Sequence, residues 1–403
     1  MRPHSASAGT KQAQRRDRRT PPARLAASFS RVLSLRNRPR TRRLIERVAA
    51  GALWRIGSPY QLALPAPPAP PPPPEPPPPP EPPPPTPADL VRDVVPGSFV
   101  HERSPVTHML FERLSEQDVA EVERRLPECP ELAAHYAVAP TQAMREALIL
   151  RSGVWLGVAE VIEKTGLTPA EPPEDIHAMA RGPLAAGAGL YEADLVADAL
   201  FSVGSRLADV RSALDFGCSS GRVLRALAAA YPQIRWHGCD PNAAAVSWAA
   251  EQLPGAELFV SGDAPPLALE DGSLELVYAI SIWSHFQPML GLRWFEETHR
   301  VIRPGGHLVC TTHGLTSVAY YATLELRTPE QSLQIADALY RQGWWYAPEF
   351  GEEGDWGVVN PDWGTAFLSP DWMLTQLCPR WRVVEFAPGR NQDNQDVYVL
   401  QRV

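Results

Sequence analysis

Ala213-Leu214-Asp215-Phe216-Gly217-Cys218-Ser219-Ser220-Gly221-Arg222 is the stretch on which the fold turns. A short apolar run closes on an acid. A Gly-x-x-x-Gly turn follows, and Val223-Leu224-Arg225-Ala226-Leu227 opens a helical pattern. The order is strand, tight glycine loop, helix. Glycines at 217 and 221 leave backbone bare for a ligand, and the helix N-terminus adds unpaired N–H groups. Asp215 at the strand tip suits a cationic or hydroxyl-bearing ligand and repels a pyrophosphate.

Outward from this loop, apolar runs and amphipathic segments alternate, as in a parallel sheet covered by helices on both faces. Strands are expected near 211–216, 234–239, 256–260, 274–280 and 306–313, with helices near 190–204, 221–231, 242–252 and 288–302. After His313 the alternation stops for about fifty residues and resumes with a helix near 370–378 and strands near 381–386 and 396–402. The turn-rich segment between these two strands makes them an antiparallel pair.

Ligands in such sheets bind beyond the carboxyl ends of the strands, so the residues at those ends are the candidate site. The second strand ends at Asp240-Pro241-Asn242, where a carboxylate is placed to accept two ribose hydroxyls. The alternative is a helix N-cap, since proline suits a first helical position. The third strand ends at Gly262-Asp263-Ala264, where an acid can accept an exocyclic amine and Ala264 offers its N–H; a plain surface turn is the alternative. The fourth leads into Ser281-Ile282-Trp283-Ser284-His285-Phe286, and Arg303-Pro304-Gly305-Gly306 turns into the fifth.

In order and spacing these residues resemble the class I S-adenosylmethionine-dependent methyltransferases. Asp215, Gly217 and Gly221 match the family's first motif, Asp240 its ribose acid, Gly262-Asp263-Ala264 its adenine position, and Leu276-Val277-Tyr278-Ala279 its fourth strand. One departure is the missing middle glycine, replaced by Ser219 and Ser220, both small. The resemblance covers about 190–403. It implies a Rossmann-like, seven-stranded, mostly parallel α/β sheet with an antiparallel last strand, and S-adenosylmethionine as cofactor. It implies cofactor contacts at Asp215, Gly217, Cys218, Ser219, Gly221, Asp240, Asn242, Asp263, Ala264 and Ser281, with Asp215 near the methionine amino end. The family's methyl transfer needs alignment above all, and a hydroxyl acceptor adds the need for a base. His285, after the fourth strand, and His313, ending the fifth, are the candidates. Each has a structural alternative: ordering the loop for His285, capping its strand for His313.

The segment 314–367 is rich in aromatics, among them Tyr320, Tyr321, Tyr340, Trp344, Trp345, Tyr346, Phe350, Trp356, Trp363 and Phe367. Following the fifth strand, it is expected over the site mouth, either stacking on a polar ring substrate or forming a small core of its own. Its acids Glu349, Glu352, Glu353, Asp355 and Asp362 argue against a nucleic-acid substrate.

Upstream, the chain changes character. The 45 prolines concentrate between Pro65 and Pro87, which hold 18 in 23 positions and read as a polyproline II spacer or, alternatively, a docking ligand for an SH3-like domain. Residues 1–60 carry 15 Arg and Lys against two acids, a charge of +13; with −8 overall, −21 remains for the rest. Such a basic arm on an acidic body calls for an anionic partner of the arm alone. Within it, Leu44, Ile45, Val48, Ala52, Leu53 and Ile56 make the apolar side of a basic helix expected over 41–57, of the kind that lies on anionic lipid. The domain plan is a mostly disordered arm 1–64, the linker 65–87, a helical region 88–186 and the catalytic domain 187–403 with its insertion at 314–368. In the helical region, Ser115 and Asp118 form a capping-box variant opening a helix to about Leu126, and Thr141 to Gly166 reads as one longer helix. The five cysteines are scattered without metal spacing and read as reduced thiols. No apolar run spans a bilayer, and no apolar segment follows the N-terminal arginines as in a secretory signal, so the expected location is cytoplasmic, with the arm at the inner membrane face. Two other readings stay open: an inactive methyltransferase-like adaptor acting through the arm and spacer, and a nicotinamide oxidoreductase. The absent G-x-G-x-x-G counts against the second.

Overall fold

The computed structural model describes residues 103–176, 178, 181–349, 358–360 and 362–403. The basic arm, the proline segment, the expected helix 41–57, residues 88–102, and Phe350, Glu352, Glu353, Asp355 and Trp356 of the insertion lie outside the described residues.

Helices come first: α1 (Pro105–Phe111), α2 (Glu116–Arg125), α3 (Pro130–Val138), α4 (Gln142–Trp155), α5 (Ala159–Thr165) and α6 (Leu190–Ser202). The Ser115–Asp118 capping box forms with both of its bonds. The single helix expected over 141–166 is broken in two, because Gly157 takes a positive φ of 65° and turns the chain. A side chain at Gly153 would lie 2.7 Å from Val161, so the corner is also closely packed.

The alternating half follows: β1 (Ser212–Phe216), α7 (Arg222–Ala230), β2 (Arg235–Asp240), α8 (Ala243–Gln252), β3 (Glu257–Val260), β4 (Leu274–Ala279), α9 (Pro288–Val301) and β5 (Ile302–Thr312). The stretch read as a break in the pattern folds as α10 (Leu315–Thr323), α11 (Pro329–Arg341), β6 (Trp344–Ala347) and β7 (Thr365–Leu368). The last two form a separate antiparallel pair. Finally come α12 (Pro370–Leu377), β8 (Trp381–Asn391) and β9 (Gln395–Arg402).

Seven strands make one sheet in the order β3-β2-β1-β4-β5-β9-β8. The pairings from β3 across to β5 are parallel, and β9 is antiparallel to both its neighbours. The chain steps from β1 to β2 and β3 on one side and then crosses to β4 on the other. The switch point falls between β1 and β4, beside the glycine loop. Strand alternation divides the core. Ala213, Leu276, Tyr278, Val309, Val397 and Val399 face α4, α6 and α7, while Leu214, Val277, Leu308, Cys310, Tyr398 and Leu400 face α9 and α12. Among the described residues no helix is long and apolar enough to cross a membrane. All five cysteines are free thiols.

Candidate functional site

Register builds the site. Asp215 stands opposite Gly238 on β2 and Tyr278 on β4, deep at the centre of the sheet. The loop after β1 is held by Gly217 and Cys218, whose N–H groups both donate to the Cys239 carbonyl (2.8 and 3.0 Å). Gly217, Ser219 and Gly221 have positive φ of 86°, 46° and 75°. A Cβ on Gly217 would sit 2.1 Å from the Ile282 side chain, so only glycine lets the loop after β4 close over the loop after β1.

A cavity of about 220 Å³ opens at this switch point. Its lining includes Asp215, Asp240 and Asp263 from three strand ends, together with Glu192 of α6 and Arg222 of α7. The lining also includes apolar and aromatic Phe216, Ile282, Phe286, Trp294 and Trp363, and His285.

The Asp215 carboxyl is buried and its Oδ2 has no hydrogen-bond partner. Burial pushes its pKa up to about 7; Tyr278 and Arg222 pull against that rise and Asp240 adds to it. Asp240 accepts Ser219 N–H on Oδ2 (2.8 Å) and Asn242 N–H on Oδ1 (2.9 Å). Each of its oxygens keeps lone-pair capacity for another donor. Burial raises its pKa too, against those two N–H groups. Burial also opposes the charge of Glu192, but the Arg222 guanidinium at 2.7 Å and the nearby Arg151 hold its pKa below the usual range.

Of the candidate cofactor residues, Asp215, Gly217, Cys218, Ser219, Asp240, Asp263 and Ser281 line the cavity; Gly221, Asn242 and Ala264 do not. The N-cap of α8 is Asn242, which accepts Ala245 N–H at 3.1 Å, so neither Asp240 nor Pro241 holds the helix-start position weighed for it. Gly221 acts on the far side of the loop as the left-handed residue before α7.

The two histidines separate. His285 lines the cavity, and its Nδ1 lies 3.0 Å from the Gly364 carbonyl, which makes Nδ1 the protonated nitrogen and Nε2 the acceptor. Burial draws its pKa down to about 4. His313 lies behind the cavity, and its Nε2 is met by Tyr321 Oη (3.0 Å) and Gln395 Nε2 (3.2 Å). Burial first, then His285, lowers its pKa to about 3. His313 is thus buried outside the cavity lining, with its Nε2 engaged by two neighbours.

Residues 213–306 match the family model described as a methyltransferase domain. The stretch from β1 to the start of β5 is thus similar to methyltransferase domains. Two curated relatives match around it. Malonyl-[acyl-carrier protein] O-methyltransferase of Hahella chejuensis is 29% identical over 100 residues, 25% of this chain and 35% of that protein. Phthiotriol/phenolphthiotriol dimycocerosates methyltransferase of Mycobacterium leprae is 37% identical over 97 residues, 24% of this chain and 35% of that one. The chain thus spans about a third of the length of these relatives. Among solved structures, a SAM-dependent methyltransferase from Methanosarcina mazei aligns over 49% of this chain and 93% of its own at 19% identity, with a TM-score of 0.36.

S-adenosylmethionine is the cofactor of this class, and the methyltransferase domain has residues that fit it. The unpartnered Asp215 Oδ2 suits an ammonium group, Asp240 has capacity for vicinal hydroxyls, and the Gly217 turn admits backbone contact. The sequence did not point to Glu192, Arg222, or Asn391 and Gln392 of the β8–β9 turn, all of which line the cavity; Trp363, from the insertion expected over the site mouth, lines it too. The turn carried a usable signal. A hairpin following the parallel strands, its second strand running antiparallel, brings its tip to the rim where those strands end.

Proposed function

We propose that the protein is an S-adenosylmethionine-dependent methyltransferase that methylates an oxygen of a small molecule or glycan. The observation that carries this reading is the cavity at the switch point, lined by three strand-end carboxylates, a glycine turn, several aromatic rings and the residue His285. When bound, S-adenosylmethionine supplies an already activated methyl group. The chain's work is then to bind, align and take up a proton. Asp215 holds the amino end, Asp240 the ribose hydroxyls and Asp263 the adenine amine. His285, neutral at physiological pH and fixed in its tautomer by Gly364, presents Nε2 to the acceptor hydroxyl and receives its proton. Trp363 and Phe286 contribute aromatic surface to the lining that an acceptor would meet. Oxygen is also the atom in the printed name of the Hahella relative.

Charge favours a neutral hydroxyl over a carboxylate or phosphate. Among the described residues, the one Arg or Lys lining the cavity, Arg222, is paired with Glu192, and residues 342–379 contain neither Arg nor Lys. Calorimetry with S-adenosylmethionine tests the cofactor reading: the full chain binds it and Asp240→Ala weakens binding by about tenfold or more. No binding, or unchanged binding in the variant, overturns it. Labelled methyl transfer to fractionated lysate tests the acceptor: an alkali-stable ether is expected, whereas methanol release under mild alkali would mark a carboxylate ester. We also propose that the arm meets anionic lipid; residues 1–64 should sediment with anionic vesicles and not with neutral ones.

A further inference from the structure

Behind the cavity lies a buried polar cluster that none of the roles above uses. Its centre is the side-chain amide of Gln395, at the start of β9 and itself buried. Gln395 Oε1 accepts three hydrogen bonds: from Thr311 Oγ1 (2.7 Å), Ser281 Oγ (2.9 Å) and Asn391 Nδ2 (3.0 Å). Its Nε2 turns the other way, to His313 Nε2 at 3.2 Å, where the Tyr321 hydroxyl also arrives. One amide thereby joins the ends of β4, β5 and β8 to α10 of the insertion.

Two of the groups it holds, Ser281 and Asn391, line the cavity, while Gln395 does not. Ser281 takes a positive φ of 64°, a conformation that costs a non-glycine residue about 1–2 kcal/mol. It is retained because both of its polar ends are engaged: its N–H donates to Thr311 Oγ1 (2.7 Å) and its hydroxyl to Gln395. Ser281 begins the loop that places Ile282 over Gly217 and His285 against the cavity. The Ser284 hydroxyl donates to the Ser281 carbonyl (2.6 Å), and Gly364 N–H to the His285 carbonyl (2.8 Å), so the far side of the loop is anchored to the insertion.

We propose that Gln395 is a positioning residue of the cofactor site, its amide oxygen holding the loop after β4 and the β8–β9 turn in their binding geometry. This rests on the cofactor reading above. Two consequences follow from the donor and acceptor roles. Replacing the oxygen by a group that accepts nothing releases Ser281, Thr311 and Asn391 together, while replacing it by a carboxylate keeps all three bonds. And because Gln395 donates to His313, His313 carries its proton on Nδ1.

The test uses S-adenosylhomocysteine binding by calorimetry and nitrogen-15 spectra of the histidine rings, on the full chain. Gln395→Leu should weaken binding by about tenfold or more, and Gln395→Glu should stay within about threefold of the unsubstituted protein. In the spectra, His313 should be bare at Nε2 in the unsubstituted protein and protonated there in Gln395→Glu. Binding by Gln395→Leu equal to that of the unsubstituted protein overturns the proposal, as does a His313 protonated at Nε2 before substitution. Thr311→Val, which keeps side-chain shape and removes one donor and the Ser281 N–H acceptor, gives the same answer if Gln395→Leu does not fold. If the unsubstituted protein binds no S-adenosylhomocysteine, the cofactor reading fails, while the His313 spectrum still decides the hydrogen-bond arrangement.

Discussion

A buried carboxyl group with one unpartnered oxygen, as at Asp215, favours its proton until a cation arrives. Its native pKa of about 7 stands well above the ordinary value of 3.8. Between these values the native state binds more protons than the unfolded chain, so at this group stability falls as pH rises from about 4 to 7. A ligand ammonium reverses the balance by requiring the carboxylate. S-adenosylhomocysteine affinity should therefore fall as pH is lowered through about 7, approaching tenfold per unit below it. Asp215→Asn should bind more weakly at about pH 8 and show little slope down to about pH 6. Titration calorimetry across that window checks both, and an unchanged slope in the variant would remove Asp215 from the amino end. That the acids at 215, 240 and 263 would meet at one cavity was legible because a strand tip is fixed by pattern. The hydrogen-bond partners of Asn242 and His313 were not. Each depends on which neighbour claims its polar atoms, the Ala245 N–H in one case and Tyr321 with Gln395 in the other, and those partners are set by folding.

Among elements, the loops after β1 and β4 are a mated pair, and Gly217 is the point of closest approach. Gly217→Ala combines a positive φ with a methyl placed 2.1 Å from Ile282. It should cost at least about 1–2 kcal/mol of stability from backbone strain. By displacing Ile282 it should also weaken S-adenosylhomocysteine binding by about tenfold. Adding Ile282→Ala should recover part of the affinity, since it vacates the contested space. Equal affinities for the single and double variants would count against the mating. The alternation from β1 to β5 was readable since strand and helix periods differ. The insertion was not, because its aromatics serve two purposes. Phe367 is buried with Val318, Ile335 and Leu339 in a core of the insertion, whereas Trp363 lines the cavity. Nothing in their spacing separates the two.

At the scale of the molecule, the helices ahead of β1 share the main core. Val106 and Leu110 of α1, and Leu150 and Val154 of α4, are buried in the same cluster as Leu224 and Leu227 of α7 and Tyr278 of β4. Polar bonds cross the same boundary. Asp194 of α6 accepts Val106 N–H (2.7 Å), Thr107 N–H (3.0 Å) and Thr107 Oγ1 (2.6 Å). Arg113 donates to the Ala229 and Ala230 carbonyls at the end of α7, both at 3.0 Å, and to the Thr165 carbonyl at 3.1 Å. The helix end is thus capped by a side chain more than a hundred residues earlier, which no local sequence signal could reveal. A fragment beginning at residue 187 would expose that apolar face and leave the Asp194 carboxyl without Val106 and Thr107, so it should be insoluble or unfolded by circular dichroism, while 103–403 should melt in one transition. Arg113→Ala separates stability from function. Losing charged hydrogen bonds to a helix end should cost about 1–3 kcal/mol. S-adenosylhomocysteine affinity should stay within about threefold of the unsubstituted protein, because α7 meets the cavity at its opposite end, through Arg222 and Val223. A fall in affinity matching the fall in stability would mean that the strain reaches the glycine loop through α7, making the helical region part of the binding apparatus.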